Sequence, residues 1–191
     1  MKFLQINRGI VRRRTFKYLL ALFTGLGSVC LYAQTPASAP SMPAGAAVAQ
    51  TVYGIISFSR WPVEREAVRL CIIMPSAYAD DLRHRAAEAP GKPVQVKRLN
   101  ADDPRVETDC DAVYLGTLSD GERRQLFQRL KGHAVLSISE HDDACALDSQ
   151  FCLSIVDGKV SFKVNLDSVA RSGVHVSPSV LLLAHGKGAA P

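Results

Sequence analysis

The chain is 191 residues long, 47% hydrophobic and 21% charged, with 23 basic residues against 18 acidic ones and a formal net charge of +5. Six of the basic residues stand within the first 17 positions, with no acidic residue among them. Set apart, they leave 17 basic against 18 acidic, a net of −1, so the sequence pI near 9.1 gives no reason to expect a nucleic-acid partner.

Residues 1–33 read as a secretory signal peptide. Lys2, Arg8, Arg12, Arg13, Arg14 and Lys17 form a basic head, and Tyr18 to Tyr32 is an uncharged stretch of about 15 residues rich in Leu, Phe and Val. A membrane-crossing helix needs about 20 apolar residues, so this stretch suits a cleaved signal ending at Ala33. Val29 ahead of Cys30 does not suit a lipid-attachment box, and Arg13-Arg14-Thr15-Phe16-Lys17 matches a twin-arginine signal only in part. Residues 34–47 are rich in Ala, Pro and Ser and read as a disordered leader. The expected domain is 48–185, long enough for one core, and 186–191 is a flexible tail.

Within the domain, Val48 to Ser59 carries apolar residues on one helical face and ends before Trp61-Pro62. Leu70 to Met74 is a continuous apolar run closed by Pro75, the pattern of a buried parallel strand. Ser76 to Ala89 reads as a helix, Pro93 to Leu99 as a strand nearer the edge, and Ala112 to Leu115 as a second buried strand. Ser119 and Glu122 form a capping box opening a helix that Gly132 stops. Ala134 to Ile138 is a third strand, and Ser154 to Val164 a hairpin turning at Asp157-Gly158. Leu166 to Ser172 is a short helix, Val174 to Val176 is extended, and Ser179 to Ala184 makes a last helical turn or two. Strands alternating with helices predict a three-layer α/β fold whose mostly parallel sheet is covered on both faces.

Four cysteines, Cys71, Cys110, Cys145 and Cys152, lie in the body, and an even set in an exported domain suggests two structural disulfides rather than buried thiols. Cys71 lies in the first core strand and Cys110 just before the second. If those strands are parallel neighbours, the two sulfurs meet within the Cα spacing of about 7 Å that a disulfide allows. That neighbourhood belongs to the 2-1-3-4-5 order of a flavodoxin-like or Rossmann-like sheet. Cys145 and Cys152 close a short loop between the third strand and the hairpin. The other pairings would tie that loop to the far end of the sheet.

Catalytic signatures are missing: there is no G-x-S-x-G, P-loop, H-E-x-x-H or G-x-G-x-x-G, and the five histidines never stand at metal-binding spacing. No enzyme and no cofactor is expected. His141-Asp142-Asp143 follows the third strand, where an α/β sheet opens a ligand crevice, and reads as a solvated loop. A second reading, a small-molecule sensor, would use that crevice near Ser76, Thr117 and His141. Arg60-Trp61-Pro62 holds the only Trp and reads as packing at a helix end. Phe151, beside Cys152, is either core or an apolar anchor held by the disulfide. Val169 and Arg171, two apart on the short helix, are read with one facing inward and the other toward solvent or a partner.

The chain resembles the YfiR family of periplasmic regulators along Gly54 to Pro62, Leu70-Cys71-Ile72, Phe151-Cys152-Leu153, Val164 to Asp167 and Ala170 to Gly173, out to Val180 to Ala184. The resemblance implies a non-enzymatic periplasmic repressor. It would bind the periplasmic sensor domain of an inner-membrane diguanylate cyclase and hold down cyclic di-GMP synthesis and biofilm formation. An outer-membrane-linked lipoprotein would release it. It further implies a homodimer, redox-sensitive disulfides paired as above, and a partner surface at Phe151, Lys163 and Val169, to which the reading of the short helix adds Arg171. Lys163 replaces an acidic residue found in other members, which inverts one interfacial charge and bears on which partner is accepted.

Overall fold

Hydrophobic runs free of charge on either face can be buried only between two layers of helix, and the chain meets that requirement. In the computed structural model the described residues are 42–141, 145 and 148–185. The expected signal peptide, most of the leader and the tail lie outside them. Chain order is α1 (Ala44–Ser57), β1 (Ser59–Arg60), β2 (Val68–Ile73), α2 (Ala79–His84), β3 (Val94–Leu99), α3 (Arg105–Asp109) and β4 (Ala112–Leu115). Then come α4 (Asp120–Leu130), β5 (Leu136–Ser139), β6 (Phe151–Val156), β7 (Lys159–Val164), α5 (Leu166–Arg171), β8 (His175–Val176) and α6 (Leu182–His185), with 3-10 turns at Ala86–Glu88 and Pro178–Leu181.

Six strands make one sheet in the order β3-β2-β4-β5-β6-β7, parallel except for the antiparallel pair β6–β7. Counted from β2, this is the expected 2-1-3-4-5 order, extended by the second arm of the hairpin. Successive residues of each strand point to opposite faces. Leu70, Ile72, Ala112, Tyr114, Leu136 and Ile138 therefore join Val48, Val52 and Ile55 of α1 and Leu82 of α2 in one core. Cys71, Ile73, Val113 and Leu115 join Val106 of α3 with Leu126 and Leu130 of α4 in the other.

The disulfides Cys71–Cys110 and Cys145–Cys152 are both formed, with Cα atoms 5.7 and 5.5 Å apart. Parallel pairing of β2 with β4 puts Cys71 opposite Val113, which brings Cys110 within reach. The capping box is present: the Ser119 amide donates to Glu122 Oε2 (2.9 Å) and the Glu122 amide to Ser119 Oγ (3.3 Å). Asp157 and Gly158 both take positive φ, 50° and 74°, the type I′ geometry that matches strand twist.

Several boundaries differ from the sequence reading, most of them through contacts distant in sequence. α1 begins at Ala44, ahead of the expected domain start, because Ala46 to Ala49 are small enough to lie buried. Residues 76–77 do not join α2, since the Ser76 hydroxyl and the Ala77 amide are taken by Glu140 across the sheet (2.6 and 3.2 Å). Ser59–Arg60 is a strand, paired antiparallel with His175–Val176. β6 begins at Phe151 rather than at Ser154, because Phe151 and Cys152 pair in parallel with Ile138 and Ser139 of β5.

Candidate functional site

At the carboxyl ends of the strands, where a ligand crevice is expected, several polar groups are bonded to one another. After β2 the chain turns through Pro75, whose carbonyl accepts from the Thr117 amide at 2.8 Å. A Cβ on Gly116 would stand 1.8 Å from that same oxygen, so only glycine fits there. Glu140, 1% exposed, plugs the neighbouring space through its bonds to Ser76 and Ala77, with the buried Tyr114 hydroxyl beside it. Burial, reinforced by that carboxylate, pushes the Tyr114 phenol well above its ordinary pKa. His141 lies 3.6 Å from Glu140 Oε1 and is exposed; Asp142 and Asp143 lie outside the described residues. Of the groups a small-molecule reading would use, Ser76 is bonded to Glu140, while Thr117 and His141 are exposed.

The expected partner residues do gather at one end of the sheet. Antiparallel register places Cys152 opposite Lys163 and Phe151 opposite Val164. The Asn165 amide donates to the Gln150 carbonyl (2.9 Å) and its side-chain Nδ2 to the Cys145 carbonyl (3.3 Å). The Asn165 side chain also caps α5 by accepting from the Ser168 amide (3.0 Å). Arg171, exposed at the end of α5, forms an ion pair with Asp148 at 3.6 Å. Cys145 and Asp148 are therefore tied to Asn165 and Arg171, at the two ends of α5.

Phe151 takes the core, one of the two readings its sequence left open. It is fully buried, edge-to-face with Phe162 at a centroid distance of 5.7 Å, because it opens a strand that pairs inside the sheet. Its ring belongs to the core on the α1 side of the sheet. Val169 is half-buried and Lys163 exposed. Leu166, three residues before Val169 on the same helix, is 74% exposed, and that spacing puts the two side chains on one face.

Two clefts open among the described residues, the first at the amino-terminal ends of β2 and β4 and the second beside Asp148 and Arg171 of the surface just described. One, of about 420 Å³, lies among Arg60, Trp61, Arg65, Val68 and Lys92; the other, of about 390 Å³, lies between the end of α4, Gln150 and α5. The first is organised by Asp111, a residue the sequence reading passed over. Its carboxylate accepts from the Arg69 amide (2.9 Å), Arg69 Nε (3.0 Å) and Nη2 (2.8 Å), and Arg65 Nε (3.1 Å). Its carbonyl accepts from Trp61 Nε1 at 2.7 Å. Burial pushes the Asp111 pKa up, but the hydrogen bonds and charge of Arg69, with Arg65 adding, outweigh it and hold the carboxyl below its ordinary value. No local pattern marks an aspartate for this role; the one available signal was two arginines four apart, at 65 and 69, beside a lone tryptophan.

Among the described residues no group of three or more His, Cys, Asp or Glu side chains could hold a metal, and no helix is long and apolar enough to cross a membrane. A family model described as YfiR/HmsC-like matches residues 46–185, the span that holds the whole sheet, both disulfides and both clefts.

Proposed function

The chain belongs to the YfiR/HmsC-like family, whose members are periplasmic regulators of cyclic di-GMP signalling rather than enzymes, and from that membership we propose that it represses an inner-membrane diguanylate cyclase by binding the cyclase's periplasmic sensor domain. The observation that carries this reading is the match over residues 46–185. The arrangement at one end of the sheet supports it. Lys163 on β7 lies beside the Cys145–Cys152 disulfide, and Val169, Arg171 and the exposed Leu166 follow it on α5. Such a surface sets Leu166 and Val169 among Lys163, Arg171, Asp148 and Asp167, a mixed charge pattern that bears on which partner is accepted. An outer-membrane-linked lipoprotein competing for the same surface releases the cyclase, and the repressor works as a homodimer.

Co-purification with the detergent-solubilised cyclase tests the reading. The oxidised protein is retained. Lys163→Glu and Arg171→Ala weaken retention about tenfold or more, as loss of a rim charge in a matched interface does, while leaving the circular dichroism unchanged. A cyclase that fails to retain the wild-type protein would overturn the proposal.

A further inference from the structure

The geometry points to a second binding site, for a phosphate monoester, in the cleft lined by Arg60, Trp61, Arg65 and Lys92. The inference goes beyond the partner reading, since it concerns the isolated chain and a cleft that none of the partner residues lines. Charge selects the ligand class. Asp111 is already satisfied by Arg69, whose Nε and Nη2 take both of its carboxylate oxygens (3.0 and 2.8 Å), so Arg65 adds a second cation to one carboxylate. Arg60 gives Nη1 to the Ser57 and Ser59 carbonyls (2.7 and 2.8 Å) and has no ion pair among the described residues. Lys92 is paired with the exposed Glu64 at 3.2 Å. Two positive charges therefore remain in excess, on Arg60 and Arg65.

Both side chains keep donors. A guanidinium carries five N–H groups, of which Arg65 spends one on Asp111 and Arg60 directs only Nη1 inward. Two excess cations with open donors match a dianion that accepts several hydrogen bonds, and a phosphate monoester is such a group above its second pKa of about 6. The Trp61 ring, held by its Nε1 bond to the Asp111 carbonyl, joins Val68 and Pro90 in an apolar wall for the esterified group. Both a soluble phosphate ester and the headgroup of phosphatidic acid present this chemistry.

Calorimetry of the full chain at about pH 8, where the monoester is a dianion, tests the assignment with phenyl phosphate as probe. Trp61, the chain's single tryptophan, reports occupancy by fluorescence. Saturable binding is expected, about tenfold weaker for phenyl sulfate, which has the same ring and one charge fewer, and about tenfold weaker in Arg60→Gln or Arg65→Gln. Lys131→Gln, in the other cleft, leaves it unchanged. Co-sedimentation of the protein with phosphatidic acid vesicles, lost in Arg60→Gln, identifies the lipid as source; phenyl phosphate binding without co-sedimentation identifies a soluble ester. Absence of saturable binding, equal affinity for phenyl sulfate, or full affinity in both arginine variants would each overturn the site. None of these outcomes bears on cyclase binding.

Discussion

Removing the Cys71–Cys110 bridge is the sharpest probe of how this fold is held. The two residues are 39 apart in sequence and almost wholly buried, at 0% and 3% exposure. In the chain-entropy description, closing a loop of that length stabilises the folded state by about 4 kcal/mol, whereas the separation of 7 between Cys145 and Cys152 gives about 2.5 kcal/mol. Cys71→Ala/Cys110→Ala is therefore expected to cost about 4 kcal/mol, or about 12 °C in Tm for a domain of this size. Its urea m-value should rise, because the unfolded chain is released from a cross-link. Cys145→Ala/Cys152→Ala is expected to cost less and to act locally, where Asn165 holds the Cys145 carbonyl. Urea unfolding of both variants, followed by circular dichroism, reads the two costs side by side. Equal costs, or a long-loop variant within about 1.5 kcal/mol of wild type, would contradict the argument.

Three further outcomes follow from single contacts. Gly116→Ala, whose Cβ would meet the Pro75 carbonyl at 1.8 Å, should lose about 3 kcal/mol or more; Gly121→Ala, at the start of α4 with its nearest neighbour at 3.9 Å, should gain about 0.5–1 kcal/mol. Urea midpoints separate them. Phe151→Ala should destabilise by about 3–5 kcal/mol, as for other fully buried aromatics, whereas Lys163→Glu should leave the midpoint within about 0.5 kcal/mol of wild type. Asp111, with its folded pKa below the ordinary value of about 3.9, contributes stability that is fully present above that pH and lost as pH falls through the depressed pKa. The gap in unfolding free energy between wild type and Asp111→Asn should accordingly be widest near neutrality and shrink below about pH 4.

Much of the architecture is legible in the chain because its signals are local. Charge-free runs at 70–74 and 112–115 mark the central strands, Ser119 and Glu122 open α4, and Asp157-Gly158 turns the hairpin. The pairing of Cys71 with Cys110 follows once β2 and β4 are neighbours. What stays hidden depends on partners far away in sequence. Ser59–Arg60 has too few residues to show a strand period and becomes one only against His175–Val176. Glu140 reads as a loop carboxylate, yet it is buried because Ser76 and Ala77 donate to it from 64 and 63 residues away. Phe151 next to a cysteine suggests a constrained loop, but pairing with Ile138 takes its ring into the core. Asp111 carries no motif, and its four accepted bonds come from residues 42 and 46 positions earlier.

Regulation by contact with a membrane cyclase makes one demand of living cells. Intracellular cyclic di-GMP, measured by mass spectrometry in a strain lacking this protein, in the same strain complemented with wild type, and in one complemented with Lys163→Glu, gives the most direct answer. Loss of the protein should raise the nucleotide, wild type should restore it, and the rim variant should fall short at equal protein level. A strain whose cyclic di-GMP is unchanged by the deletion would contradict the role assigned here.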